Sequence, residues 1–290
     1  MKDINFEKEF HSIKEFAEFV GITEKTLRRY DDEDIFAPAK RDGDGERNKY
    51  RFYSPIQITT IKMIRVLTEI GVSFDTIREL KHNRTPEKLL KLLRQHKNQI
   101  ADNINVLQEV YSIISTYNEL LYDAISVTET EITVTEMPKR NIILGELTDF
   151  NETAGFYREF VRFCRTNHEP NLNMSYPVGG YWDNITSFFN EPAQPARFFS
   201  LDPNGNDYMP AGLYLVGYTR GYYGQTNDLP KRMAAYAKNN GLKFEGPVYN
   251  IYLTDALSEI DRDQYLLQVS ASVVETRRSK SRHPQYYFKK

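Results

Sequence analysis

Apolar residues in the first third of the chain fall in short bursts at three- and four-residue spacing, separated by glycine, proline and charge. Ile13, Phe16, Ala17 and Val20 form the first burst. Ser12 is a good N-cap for it and Glu15 a capping-box partner, so the pattern predicts a helix over Ile13–Val20. Gly21 breaks it, and Thr23 caps a second helix running to about Asp32. Two short helices across a glycine turn make a helix-turn-helix. Ile35–Arg47 holds Pro38 and Asp42-Gly43-Asp44-Gly45, a turn signal between two short strands, the second being the alternating Lys49–Tyr53. Ser54-Pro55 then opens a helix through Ile70, Gly71 closes it, and Ser73–Lys81 forms another.

From Pro86 the period changes. Leu93, Ile100, Leu107, Ile114 and Leu121 recur every seventh residue, with a less regular column three residues on at His96, Asn103, Val110 and Tyr117. The repeat predicts one helix to about Asp123, roughly 55 Å long, that docks on a partner chain as a coiled coil. The competing reading is a helix packed within its own chain. Beyond it the texture is mixed. Strands are expected at Ile132–Met137, Asn141–Thr148, Arg197–Leu201, Gly212–Thr219, Val248–Thr254 and Tyr265–Val274, and helices at Thr153–Arg165 and Leu229–Asn239. The strand–helix–strand order occurs twice, which predicts an α+β pseudo-repeat with a groove between its units.

Composition narrows the classes. The chain has 290 residues and a formal net charge of −2, so any nucleic-acid binding must come from local basic faces. No run approaches the roughly 18–20 apolar residues of a membrane span, and Met1–His11 lacks the features of a signal peptide. A single cysteine, Cys164, precludes an internal disulfide, fits a reducing cytoplasm, and argues against a thiolate metal site. Neither metal nor cofactor is expected. The aromatic content is unusual: 20 Tyr and 17 Phe with one Trp, the tyrosines dense after Tyr157. The tail Arg277–Lys290 reads as a solvated, disordered basic segment.

Candidate chemistry lies at both ends. Thr23, Lys25, Arg28, Arg29 and Tyr30 sit on or near the second helix, where they suit phosphate and base-edge contacts, and Tyr50 and Arg51 occupy the hairpin expected to act as a wing. In the second half, Tyr176, Tyr181, Trp182, Phe198, Tyr214, Tyr249, Tyr252 and Tyr265 offer faces for planar molecules. Packing in an ordinary core is the plainer role for any one of these.

The N-terminal stretch resembles the MerR family of transcriptional regulators. The likeness rests on Ser12-Ile13-Lys14-Glu15-Phe16-Ala17, Thr26-Leu27-Arg28-Arg29-Tyr30-Asp31, Tyr50-Arg51-Phe52-Tyr53-Ser54 and Ile70-Gly71-Val72-Ser73-Phe74 ahead of Ile77, over about residues 10–122. It implies a winged helix-turn-helix and an antiparallel coiled coil joining a homodimer. It also implies binding to double-stranded promoter DNA and activation by bending and untwisting an overlong spacer for RNA polymerase. The chain departs from the family at Arg29, where many members hold Tyr, and in its longer charged wing.

The C-terminal half is similar to the GyrI-like effector domains of multidrug-binding family members, through the duplicated pattern, Tyr176 after Asn173-Met174-Ser175, Val248-Tyr249-Asn250-Ile251-Tyr252 and Asp263-Gln264-Tyr265. The resemblance implies a pocket built on Tyr176, Tyr252 and Tyr265. It places a buried Glu, the counter-charge for cationic ligands, where this chain has Asn250. Without it the pocket is expected to prefer neutral or weakly charged aromatic or lipophilic molecules, unless Asp263 substitutes. Tyr222 and Tyr223, in a Gly-bounded loop, suggest a lid.

The expected architecture is therefore α+β: a winged helix-turn-helix over 1–84, a coiled-coil dimerisation helix over 85–124, a GyrI-like effector-binding domain over 125–275, and a basic tail over 276–290. The expected function is a cytoplasmic, ligand-responsive transcriptional regulator rather than an enzyme. Some stand-alone GyrI-like domains are hydrolases, but Asn250 removes the best general base near Tyr265. Metal sensing lacks ligands, since Leu121–Thr130 has neither Cys nor His. A ligand-independent repressor or protein-binding scaffold is the remaining alternative.

Overall fold

The computed structural model describes residues 9–42, 50–150, 155–167 and 176–276, in two compact units, Met1–Val106 and Leu107–Lys290. The wing turn around Gly43–Gly45, the Asn173-Met174-Ser175 motif and the tail Arg277–Lys290 lie outside the described residues.

In the first unit a short strand β1 (His11–Ser12) leads into α1 (Ile13–Val20). Ser12 caps α1 and closes the capping box with Glu15. Gly21 ends it in the left-handed conformation, φ +67°, which a side chain would resist. Thr23 caps α2 (Glu24–Asp32) by accepting from the Thr26 N–H. The turn between them is held from outside. Arg65, on α3 (Ile58–Glu69), donates to the Val20 and Gly21 carbonyls at 2.9 and 3.4 Å.

Strands β2 (Lys40–Asp42) and β3 (Tyr50–Tyr53) pair antiparallel, and β1 joins the other side of β3. Ser54-Pro55 opens a 3₁₀ turn, Pro55–Gln57, before α3, so the single helix expected there begins with a tighter turn. Helix α4 (Phe74–His82) follows Ser73.

The core of this unit gathers Phe16, Leu27, Phe36, Tyr53, Ile61 and Leu67, with Phe16 and Phe36 stacked on Tyr53 at 4.8 and 5.7 Å. The Tyr53 hydroxyl is buried with no hydrogen-bond partner among the described residues, and burial, reinforced by the charge of Asp31, pushes its pKa up to about 12. Removing an unpaired buried hydroxyl relieves a desolvation cost of about 1–3 kcal/mol. Tyr53→Phe is therefore expected to leave the urea midpoint unchanged or raise it. A loss above about 1 kcal/mol would show that the hydroxyl has a native partner.

Helix α5 (Pro86–Ser126) is one continuous rod of 41 residues. At its start, Leu92 and Leu93 pack on the first core. Further along, Ile113, Thr116, Leu120 and Ala124 turn into the second unit. The heptad column Ile100, Leu107, Ile114 and Leu121 stays exposed. Its exposed companion column lies four residues on, at Ile104, Tyr111, Asn118 and Ile125. The column three residues on behaves differently, since Val110 and Tyr117 are partly buried. Alternating steps of three and four make the 100–125 seam a regular a/d stripe, with Tyr111 75% and Ile125 83% exposed.

Among the described residues, the second unit is built on an eight-stranded sheet. Its strands are β4 (Ile132–Met137), β5 (Arg140–Leu144), β6 (Val178–Trp182), β7 (Arg197–Ser200), β8 (Asp207–Met209), β9 (Gly212–Arg220), β10 (Leu242–Tyr252) and β11 (Leu266–Glu275). The order is β4-β9-β11-β10-β6-β7-β5-β8, with β10 against β6 joining two four-stranded halves. Strands β6 and β8 were not anticipated. Gly179-Gly180 and the short Asp207–Met209 give little periodic signal.

One face is covered by helices. Phe163 and Cys164 of α6 (Gly155–Asn167) pack on Phe198 in one half, and Leu229, Met233 and Ala237 of α8 (Leu229–Asn239) pack on the other, with α7 (Ile185–Asn190) adding Phe188. The opposite face carries Phe199, Tyr214, Val216, Tyr218, Tyr249 and Ile251 and receives Leu120 and Ala124 of α5. The duplicated strand–helix arrangement read from sequence is present as these two halves.

Candidate functional site

In the first unit the helix-turn-helix presents Lys25, Arg28 and Arg29 of α2 on the surface. Arg28 pairs with Glu24 at 3.2 Å, an exposed contact that anions can exchange, and the Arg29 guanidinium lies 4.7 Å over the Phe74 ring. Thr23 is exposed at the helix start, where backbone N–H groups suit a phosphate. Tyr30, by contrast, is in the core. Its hydroxyl meets that of Thr68 at 3.3 Å and its ring packs edge-on against Phe74. Tyr50 is 74% exposed on β3. Arg51 is held: its Nε donates to Asp31 Oδ2 at 2.6 Å and its Nη2 to Asp32 Oδ1 at 3.3 Å. Arg41, from β2, takes the other Asp31 oxygen. Sequence reasoning passed over Asp31, Asp32, Arg41 and Arg65. Asp31 stood inside a quoted motif, yet nothing local pairs it with arginines ten and twenty residues away.

In the second unit the structure sorts the expected effector-site residues into separate neighbourhoods. Tyr181 and Tyr214 lie on the face beneath α5, with Tyr249 at the centre of the group. Tyr181, Phe199 and Tyr214 surround its ring at 5.5, 5.5 and 6.5 Å. The Tyr214 hydroxyl donates to the Pro210 carbonyl at 2.8 Å. Burial, then the neighbouring tyrosines, holds the Tyr249 phenol well above the ordinary range, so it stays neutral and protonated. Tyr176 is buried with its hydroxyl beside Ser112 of α5.

Side chains alternate along a strand, and that divides the remainder. Trp182, 1% exposed, follows Tyr181 and packs on Phe188 under α7 and α8, its indole N–H donating to the Glu191 carbonyl. Asn250 follows Tyr249 and also faces away from it, its Oδ1 accepting the Gly180 N–H at 2.7 Å beside Trp182. Asn250 thus bridges β10 to β6.

Tyr252 and Tyr265 meet at the end of the central strands, in a cluster with the Gly221–Gly224 loop. The Tyr223 ring lies 4.8 Å from Tyr252 and 5.8 Å from Tyr265, the Tyr252 hydroxyl donates to the Tyr222 carbonyl, and Arg262 stacks over Tyr222. Asp263 is exposed. Asp255 brings a carboxylate close to this cluster. Burial, then its charge, pushes the Tyr223 pKa up to about 12, and the same two effects raise Tyr117 of α5. Strict alternation would have separated Asn250 from Tyr249 in advance. Asp255 carries no local signal and could not have been picked out.

A helix-turn-helix whose second helix exposes Lys25, Arg28 and Arg29 and is clasped to a two-stranded wing, on a chain with a second aromatic-lined α+β unit, defines a DNA-binding regulatory protein. Residues 11–83 match the MerR HTH family regulatory protein, which makes this segment a MerR-type helix-turn-helix domain. It is 24% identical over 255 residues to the multidrug-efflux transporter 2 regulator of Bacillus subtilis, covering 86% of this chain and 91% of the relative. The transcriptional regulator BrlR of Pseudomonas aeruginosa is 31% identical over 102 residues, 34% of this chain and 37% of its own. Among solved structures, an EcmrR–DNA complex within EcmrR-RPo aligns over 92% of this chain and all of that one, at 17% identity and a TM-score of 0.37.

Proposed function

We propose that the protein is a cytoplasmic homodimeric transcriptional regulator that binds promoter DNA through residues 1–84. Its 85–124 helix dimerises, and its 125–275 domain binds a bulky aromatic or lipophilic effector. The observation that carries this reading is the division of labour on α5. One stripe, Ile104, Leu107, Tyr111 and Ile114, is open for a second chain. The opposite side, Leu120 and Ala124, sits on the Tyr214–Tyr249 face. A molecule entering that face meets the dimerisation helix directly, and only a molecule with different affinity for two DNA-bound forms can shift between them. The charge of Asp207, which acts on both Tyr249 and Tyr181, favours a cationic aromatic effector on that face over an anionic one. The relatives' descriptions as multidrug-efflux and transcriptional regulators accord with this reading.

The test begins with selection of duplexes from a randomised pool by the full-length protein. Transcription from a promoter carrying the selected site is then measured with RNA polymerase, alone and with cationic, neutral and anionic polycyclic dyes. A two-fold-symmetric site and a dye-dependent rise in transcript, largest for cations, are expected. Recovery of no preferred sequence removes the regulator reading. A preferred site with transcription indifferent to every dye removes the sensor and leaves a ligand-independent repressor.

A further inference from the structure

We infer that Asp31 is a positioning residue for DNA binding, a buried carboxylate on the recognition helix that clasps Arg41 and Arg51 so that wing and helix meet the duplex as one rigid piece. The inference rests on the proposal that α2 and the wing face DNA. It goes beyond it by assigning affinity to an anion between two wing arginines.

Three features support it. The Asp31 side chain is only 3% exposed, although it lies in the last turn of α2. There the negative end of the helix dipole disfavours a carboxylate, and a charge taken out of water needs partners. Those partners are two wing arginines, one on each oxygen: Arg41 from β2 and, at 2.6 Å, Arg51 from β3. The two arginines also face each other across the β2–β3 ladder. Without a shared anion, two like charges directly opposite on a ladder repel. Asp31 thus holds together strands that would otherwise splay. Charge-assisted contacts to a planar guanidinium also fix its orientation, and each guanidinium has more N–H donors than these contacts use, which leaves donors for phosphate.

The adjacent Asp32 provides the comparison. It carries the same charge but is 69% exposed and, among the described residues, pairs with Arg51 at 3.3 Å. On charge alone, neutralising either residue removes one repulsion from DNA and tightens binding. Positioning predicts opposite signs.

The experiment measures the affinity of the full-length chain for a duplex selected as above, as a function of salt, for the parent, Asp31→Asn and Asp32→Asn. Thermal melts give the folded fraction for each, and hydroxyl-radical footprints locate the contacts. Asp31→Asn is expected to weaken binding about ten- to a hundred-fold, to flatten the salt dependence, and to erase the outer, wing-side protections while central ones persist. Asp32→Asn is expected to bind as tightly as the parent or tighter. Arg51→Lys serves as a second probe, since lysine keeps the charge but lacks the fork that spans Asp31 and Asp32, and it should lose outer protections likewise. Equal or tighter binding by folded Asp31→Asn, or unchanged outer protections in Arg51→Lys, overturns the inference. A weakened Asp31→Asn whose folded fraction alone accounts for the loss, with footprint and salt slope unchanged, reduces Asp31 to a structural ion pair. Failure of the parent to bind any duplex defeats the functional proposal instead.

Discussion

Glutamates at Leu107 and Ile114 together are expected to yield a single-chain species in sedimentation and to raise the Kd for operator DNA by more than about a hundred-fold. Both side chains are exposed in one chain, 66% and 55%, in the middle of the a/d stripe. In a paired coiled coil they would face their counterparts, where a buried unpaired carboxylate costs several kcal/mol. Two such charges per chain exceed what a short seam can offset. The effect on DNA follows from geometry rather than from any lost phosphate contact. Two reading heads on one rod make the second engagement intramolecular, a gain of about 10²–10⁴ that a lone head forfeits. Asn103→Glu separates this seam from the column three residues on, because it adds the same charge outside the a/d stripe and should leave the mass of a dimer. A Leu107→Glu, Ile114→Glu chain that still sediments as two copies would refute the proposed seam. Two copies formed by the parent through another surface would then have to be located.

The second large effect is expected from one methyl group. A Cβ on Gly179 would lie 2.1 Å from the Asn250 carbonyl oxygen and 2.6 Å from the Phe199 ring. The ring could move; the carbonyl belongs to the strand that joins the two halves of the sheet, where Gly179 stands opposite Ile251 and Gly180 opposite Asn250. Gly179→Ala must therefore part β6 from β10 or twist both. Overpacking of this kind costs about 3 kcal/mol or more, which in a domain of this size lowers its melting temperature by roughly 6–12 °C. The first unit has its own core and should be spared, so specific DNA binding is expected to persist while any response to dye disappears. A melt within about 2 °C of the parent would mean that the sheet is not joined there.

Tests aimed at the effector face depend on which residues share it. A substitution at Asn250 acts first on the β6–β10 junction, because its amide oxygen is committed to the Gly180 N–H. Tyr249, with Tyr181, Phe199 and Tyr214 around it, is the position from which to probe ligand contact without cutting that bridge. Trp182, sealed against Phe188 on the other side of the sheet, reports on packing beneath α7 and α8 rather than on a molecule bound near Tyr249.

Much of the architecture was readable from sequence because it rests on short-range physics. Caps at Ser12 and Thr23 act over three residues, Gly21 ends α1 through its own backbone freedom, and a seven-residue repeat marks a long rod whatever surrounds it. The doubled strand–helix order declared an α+β second half. Tertiary structure decided what depends on partners remote in the chain. It selected Ile104, Tyr111 and Ile125 as the second exposed column of α5, because Val110 and Tyr117 turn toward their own domain. It separated Tyr181 from Trp182 and Tyr249 from Asn250, neighbours in sequence that a pleated strand sends to opposite faces. It placed Asp31 between Arg41 and Arg51, and set the Asn250 amide against Gly180, seventy residues away. Helix caps and periods are set within a turn or two of chain, whereas a shared face or a buried ion pair exists only once distant strands have been brought into register.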